Sequence, residues 1–184
     1  GTRRSRFDVC RESIMDIFLH HVDDQDSMGL YTFETDVKEV FPLTEKASQR
    51  AKIEEMIKGM PGPSGLTKFY DAVLNGINKL KDRDGPKYLI ALTDGDDNMS
   101  RSQPQGQLVT EAVRAGIPDF NLIVITVGSD VKPLMIEGIK CWCSIVKSSG
   151  NIGTYIGAQN PAELGDAFAS VAELITADEG HIED

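Results

Sequence analysis

The stretch Tyr88-Leu89-Ile90-Ala91-Leu92-Thr93-Asp94-Gly95-Asp96-Asp97-Asn98 decides how this chain is read. Leu89 to Leu92 is a continuous apolar run, too short for a helix, preceded by the turn Asp84-Gly85-Pro86 and followed by polar residues. Such a run predicts a strand covered on both faces, the pattern of a parallel sheet. In an open α/β sheet, ligands bind beyond the carboxyl ends of the strands. Asp94 falls at such an end and is therefore a candidate site residue. The plainer reading, a solvated loop with a turn-forming Asp-Gly, stays open on this run alone.

The flanking sequence alternates helices with strands. Residues 6–22 carry apolar side chains at Phe7, Cys10, Ile14, Ile17, Phe18 and Val22, a helical spacing. Residues 28–33 and 37–43 predict two strands of an antiparallel hairpin around Glu34-Thr35-Asp36. Residues 47–60 predict a second helix, closed by Pro61-Gly62-Pro63-Ser64-Gly65, and residues 66–80 repeat the helical period through Phe69, Val73, Ile77 and Leu80. Beyond Asp94, a helix is predicted over 105–115, an apolar strand over 121–127, a helix over 132–146 and a short strand over 151–158. Asn160-Pro161-Ala162-Glu163 combines an N-cap, a proline at the first helical position and an early glutamate, and opens the last helix. The acidic residues from Asp178 predict a frayed tail. The order points to a doubly wound α/β domain with a mostly parallel sheet and helices on both faces. The domain is assigned to residues 1–176 and an acidic tail to 177–184.

Composition narrows the function. The 184 residues suffice for one domain burying about 70% of its unfolded surface. A net charge of -10 leaves no broad basic surface for phosphates, and Arg3-Arg4-Ser5-Arg6 reads as a solvated helix start. Cys10, Cys141 and Cys143 form an odd, sparse set rather than a disulfide framework, which favours an intracellular setting. Cys141-Trp142-Cys143 lacks the further ligands of a zinc site, so idle thiols are expected. No apolar stretch is long enough to span a membrane, and no membrane insertion is expected. His20, His21 and His181 have no partner at metal or catalytic spacing and read as surface residues, and Met135 and Trp142 read as core. There is no nucleophile elbow, phosphate-binding loop or dinucleotide fingerprint.

A second informative stretch is Ser64-Gly65-Leu66-Thr67-Lys68-Phe69-Tyr70-Asp71-Ala72, a glycine-containing loop that runs into a helix. A hydroxyl at such a junction serves as an N-cap or faces a cation. Mg2+ takes oxygen ligands in octahedral geometry, contributed by hydroxyls, carboxylates and waters from separate loops. Thr67 and Asp94 supply two such oxygens if their loops meet. With these residues, with Leu92-Thr93-Asp94-Gly95, with Ile123-Val124-Ile125-Thr126-Val127-Gly128, and with Tyr155-Ile156-Gly157-Ala158 followed by Asn160-Pro161, the chain resembles a von Willebrand factor A domain, over residues 1 to about 176. The resemblance implies a three-layer sandwich and a metal-ion-dependent adhesion site, in which Mg2+, or Mn2+ or Ca2+, bridges the domain to an Asp or Glu of a partner protein. By resemblance Thr67 is the hydroxyl ligand, Asp94 the carboxylate acting through a water, and Lys68, Gly95 and Asp96 the partner-binding rim.

One part of the family pattern has no counterpart. The central first strand and its Asp-x-Ser-x-Ser loop, which would give the ion two serine hydroxyls and another carboxylate, do not occur; Gly1-Thr2-Arg3-Arg4-Ser5 matches the residues directly after that loop. Loss of a central strand orphans backbone groups of its neighbours, each costing roughly 1–3 kcal/mol when buried. An upstream segment is therefore expected to supply the strand, with supply in trans or a degenerate fold as alternatives, and metal binding is conditional on that loop. The expected function is non-catalytic capture of a partner's acidic group. The rival readings are a structural domain with an inactive metal site and an α/β enzyme using Asp94 for metal-dependent phosphate chemistry, for which Gly128-Ser129-Asp130 is the one further strand-end group.

Overall fold

The computed structural model describes residues 5–33, 37–60, 69–93 and 102–183. Backbone contacts divide the chain into two compact units, one comprising Gly1–Thr32, Lys38–Ser64 and Asn160–Asp184, the other Phe33–Val37 and Gly65–Gln159.

In the first unit, helix α1 spans Arg6–His21. Its start is fixed by a capping box: Ser5 Oγ accepts from the Asp8 amide at 3.1 Å, and Asp8 Oδ2 accepts from the Ser5 amide at 3.1 Å. Two of the four orphan donors at the helix start are thereby satisfied. Strands β1 (Ser27–Phe33) and β2 (Val37–Glu45) form a two-stranded sheet. Gly29 packs on Pro42 and Leu43 while Tyr31 reaches Glu39, so advance along β1 is retreat along β2 and the pair is antiparallel. Helix α2 (Lys46–Lys58) follows directly, with a break in helical geometry at Gln49. Phe18, Phe41, Ile53 and Ile57 form the centre of this unit's core.

A lysine closes α1. Lys46 is 3% exposed, and its ammonium donates to the carbonyls of Phe18 (2.6 Å), Leu19 (3.2 Å) and Val22 (2.7 Å) and lies 5.0 Å from the Phe18 ring centre. A cation on unpaired carbonyls at the negative end of a helix is favourable both as a hydrogen-bond donor and as a charge. Helix α6 (Pro161–Glu183) packs on α1 within this unit. Its start is as expected, Asn160 Oδ1 accepting from the Glu163 amide at 2.9 Å. Its end is not: the helix continues to Glu183 where a frayed tail from Asp178 is predicted. No proline interrupts residues 162–184, and Ala and Glu sustain the helix.

The second unit holds helix α3 (Phe69–Leu80), strand β3 (Lys87–Thr93), helix α4 (Ser102–Arg114), strand β4 (Phe120–Val127), helix α5 (Pro133–Ser148) and strand β5 (Gly153–Ala158). The strands form one parallel sheet in the order β3-β4-β5, with Leu89 beside Leu122 and Leu122 beside Gly153. Phe69, Val73 and Ile77 of α3, Val109 and Val113 of α4, and Met135, Ile139, Trp142 and Val146 of α5 pack with Leu122 and Val124 in a single core. The expected core placement of Met135 and Trp142 is thus what the fold contains. Gly153 is required by packing, because an added Cβ would collide with the Cys143 carbonyl oxygen of α5.

β4 and β3 differ although both are apolar. Every residue of β4 is buried, with Leu122 to Ile125 at 0% exposure, whereas the residues of β3 between Lys87 and Thr93 are half-buried. β4 pairs on both edges; among the described residues β3 pairs with β4 alone. The Lys87 amide donates to Asp119 at the β4 side, so alternation along the strand turns the backbone groups of Leu89 and Ala91 toward β4 and those of Ile90 and Leu92 away from it.

The amino ends of the three strands are tied by buried polar side chains. Asn121, 4% exposed, donates through Nδ2 to the Lys87 carbonyl (3.0 Å) and accepts through Oδ1 from the Ile152 amide (2.8 Å). Lys87, equally buried, donates to the carbonyls of Gly85 (2.9 Å) and Pro118 (2.8 Å). Asn121→Ala strands the Ile152 amide and removes one bond to Lys87, and is expected to lower unfolding stability by about 2–3 kcal/mol, read as a reduced denaturant midpoint at unchanged slope.

The thiols are free: Cys143 is buried, Cys141 exposed and Cys10 half-buried. Desolvation, which penalises the thiolate, pushes the Cys143 and Cys10 thiols up to about 11. At pH 8, iodoacetamide is expected to label Cys141 first, with Cys143 and Cys10 slower by roughly two orders of magnitude, followed by mass spectrometry of digested peptides. Comparable rates at all three would contradict this burial.

Candidate functional site

Within the second unit, β3 and α3 fix where the two informative stretches begin and end. α3 returns to β3 through only the six residues 81–86 and packs on it, the Gly76 backbone lying against Leu89. A connection so short makes helix and strand antiparallel. Counted from that contact, the first residue of α3 lies about 10 Å along the helix, and the last residue of β3 about 13 Å along the strand. The Lys68/Phe69 and Thr93/Asp94 junctions therefore fall at the same end of this unit, the end where β4 stops at Val127 and β5 at Ala158. Thr67, Lys68, Asp94, Gly95 and Asp96 themselves lie outside the described residues.

The first turn of α3 is held by aromatic packing. Phe69 is fully buried, with ring centroids 5.9 Å from Phe33, 6.1 Å from Tyr70 and 6.4 Å from Trp142. Trp142 is itself oriented, its Nε1 donating to Thr110 Oγ1 at 3.0 Å while that hydroxyl donates to the Gly106 carbonyl at 3.1 Å. Tilted aromatic contacts of this kind add to area burial. They anchor the residue that directly follows Thr67 and Lys68. The sequence identified Trp142 as core but gave no sign of this positioning role, because its partners come from α3 and α4.

The end of β3 is equally well buried. Thr93 lies in register with Thr126 and Thr126 with Gly157, and both threonines are 3% exposed. Thr126 Oγ1 and the Tyr155 hydroxyl are 2.8 Å apart, and Lys140 Nζ sits 5.5 Å from the Tyr155 ring centre. Gly128 closes β4 with φ +82°, a conformation that favours glycine, and its amide donates to Ala158. This gives a fixed frame to the sheet end at which α3 begins and β3 stops.

The donor chemistry of the candidate residues, one hydroxyl and one carboxylate, suits a hard cation such as Mg2+, but two oxygens leave most of an octahedral shell to water. Among the described residues no group of three or more His, Cys, Asp or Glu side chains could hold a metal ion. Cys141 and Cys143 sit two residues apart on α5, one exposed and one buried, and so face different sides. His20 and His21 each approach Asp16 at 3.9 Å, and His21 Nδ1 lies 3.0 Å from Thr176 Oγ1. No described helix is long and apolar enough to cross a membrane.

No curated protein matches the chain in sequence. Several solved structures match its fold. A von Willebrand factor type A protein from Catenulispora acidiphila is 17% identical, with a TM-score of 0.65, over 91% of this chain and 38% of that one. A mutant of the PilB minor pilin from Streptococcus sanguinis is 15% identical, with a TM-score of 0.73, over 100% of this chain and 57% of that one. Proximal thread matrix protein 1 from the mussel byssus is 19% identical, with a TM-score of 0.65, over 91% and 40%. The chain thus spans less than two thirds of the length of each. The family pattern for the von Willebrand factor type A domain matches residues 2–167, and with the α/β architecture described above it establishes that this chain belongs to that family.

Proposed function

We propose that the chain is a protein-binding module that captures an Asp or Glu of a partner through a divalent cation held by Thr67 and Asp94, with Lys68, Gly95 and Asp96 as the rim. Domains of this family generally mediate protein–protein interaction and are generally not enzymes. The observation that supports the reading is that α3 begins, directly after Lys68 in sequence, and β3 ends, directly before Asp94, at a common end of the second unit. A hard cation would supply Lewis acidity and positive charge there. The residues of the chain would hold and orient it, Thr67 by a neutral hydroxyl and Asp94 by a carboxylate, leaving an open position for the incoming acidic group. Charge also favours a cation-mediated contact: with a net charge of -10 the protein repels a free carboxylate, and a bound divalent ion reverses the local sign.

A second reading, an interaction domain with an inactive metal site, is favoured by the short donor set of two oxygens and by the lack of any further metal-binding group among the described residues. Mn2+ separates the two. If the site is active, titration with Mn2+ selectively broadens the amide resonances of Phe69 and Thr93, and Asp94→Ala removes the effect while leaving the far-ultraviolet spectrum unchanged. A carboxylate peptide then binds only with the ion present. No broadening in a protein that also carries an Asp-x-Ser-x-Ser loop would establish the inactive reading.

A further inference from the structure

We propose that the cleft between α1 and α6 receives an arginine side chain of a partner protein, a contact that needs no cation. The cleft belongs to the first unit alone and has a volume of about 200 Å3. Sites for small molecules usually measure roughly 300–1,000 Å3, so this one is the size of a single side chain. Its floor is apolar, formed by the buried Ile17 of α1 and the buried Phe168 of α6 with Gly165 and Ala169 beside it. Its rim is acidic: Glu12 and Asp16 stand one helical turn apart on the same face of α1. Gly165 keeps the cleft open. A Cβ at that position would meet only Val9 Cγ1, at 3.9 Å, an ordinary contact, so packing within the unit does not call for glycine in a helix that glycine weakens.

Charge and shape specify the occupant. An apolar floor beneath two carboxylates suits a side chain with an aliphatic stem and a cationic head. Two carboxylates one turn apart favour the planar guanidinium, whose fork donates to both, over the compact ammonium of lysine. The α6 wall brings no competing cation, since Pro161–Glu183 contains Glu163, Asp166 and Glu173 and no lysine or arginine. On α1, Arg11 is engaged by Asp8 Oδ1 at 3.2 Å, and the ring nitrogens of His20 and His21 stand 3.9 Å from Asp16, beyond hydrogen-bond length. The net charge of -10 draws a basic segment toward the protein from further out.

The test titrates the 184-residue chain, in the presence of EDTA, with a peptide carrying one arginine between alanines and with its citrulline counterpart, which keeps the shape and removes the charge. Amide resonances of Ile17, Gly165 and Ala169 are expected to shift with the arginine peptide while those of Leu122 and Val124 stay in place. Citrulline is expected to weaken binding about five-fold or more, and Asp16→Asn, a change of an exposed side chain, about three-fold. Gly165→Leu fills the cleft while favouring the helix, and is expected to abolish the shifts with the far-ultraviolet spectrum unchanged. Equal binding of the citrulline peptide overturns the proposal, as do shifts spread over the acidic surface of both units or full binding by Gly165→Leu. A lysine peptide that binds as tightly overturns the assignment of a guanidinium. EDTA removes divalent ions, so this result and the Mn2+ titration stand or fall separately.

Discussion

A parallel strand that is apolar on both faces is satisfied only when both of its edges are paired and both of its faces are covered, and the second unit is arranged around the strand for which this holds. β4 meets every condition: β3 and β5 take its two edges, and each of its eight residues is buried. No water reaches such a strand, so its backbone groups must find protein partners. The ends of the ladder carry the remaining load. Asn121 and Lys87 bind the carbonyls and amide that the ladder leaves over at its start, and Gly128 turns the chain sharply at its finish while donating to β5.

The sequence made this plan legible through period and interruption. Leu122 to Ile125 could only be a doubly covered strand, Asn160-Pro161 could only open a helix, and Phe69, Val73 and Ile77 marked the inner stripe of α3. Boundaries were less legible. α4 begins at Ser102 rather than near Gln105, since Pro104 sits in a first turn that needs no amide there. The buried polar residues were not legible at all. Nothing in the sequence marks Lys46 and Lys87 as buried, and Asn121 is there only the first residue of a strand; their partners lie 24 to 34 residues away or across a turn. Burial of a lysine depends on carbonyls that converge only in the folded chain. The same limit applied to Thr67 and Asp94: sequence identified a hydroxyl and a carboxylate at two junctions, but the number of oxygens that meet at an ion is a tertiary property.

The two sheets illustrate how one strand governs its neighbours. β1 and β2 make one pair and β3, β4 and β5 another set, each with a strand whose interior residues are half-buried. Two buried polar atoms also lack a partner among the described residues, Thr32 Oγ1 in β1 and Asn75 Nδ2 in α3. Native interiors leave few such atoms unsatisfied.

The way β3 is held bears on the residues that follow it. Asp94 follows Thr93 without an intervening residue, so whatever holds β3 in register also sets the origin of the loop that carries the carboxylate. A metal ligand must be held to within a fraction of an ångström by the element behind it. β3 is held on its inner edge by β4 and on one face by the α3–α5 core, and α3 is in turn anchored by Phe69 against Trp142.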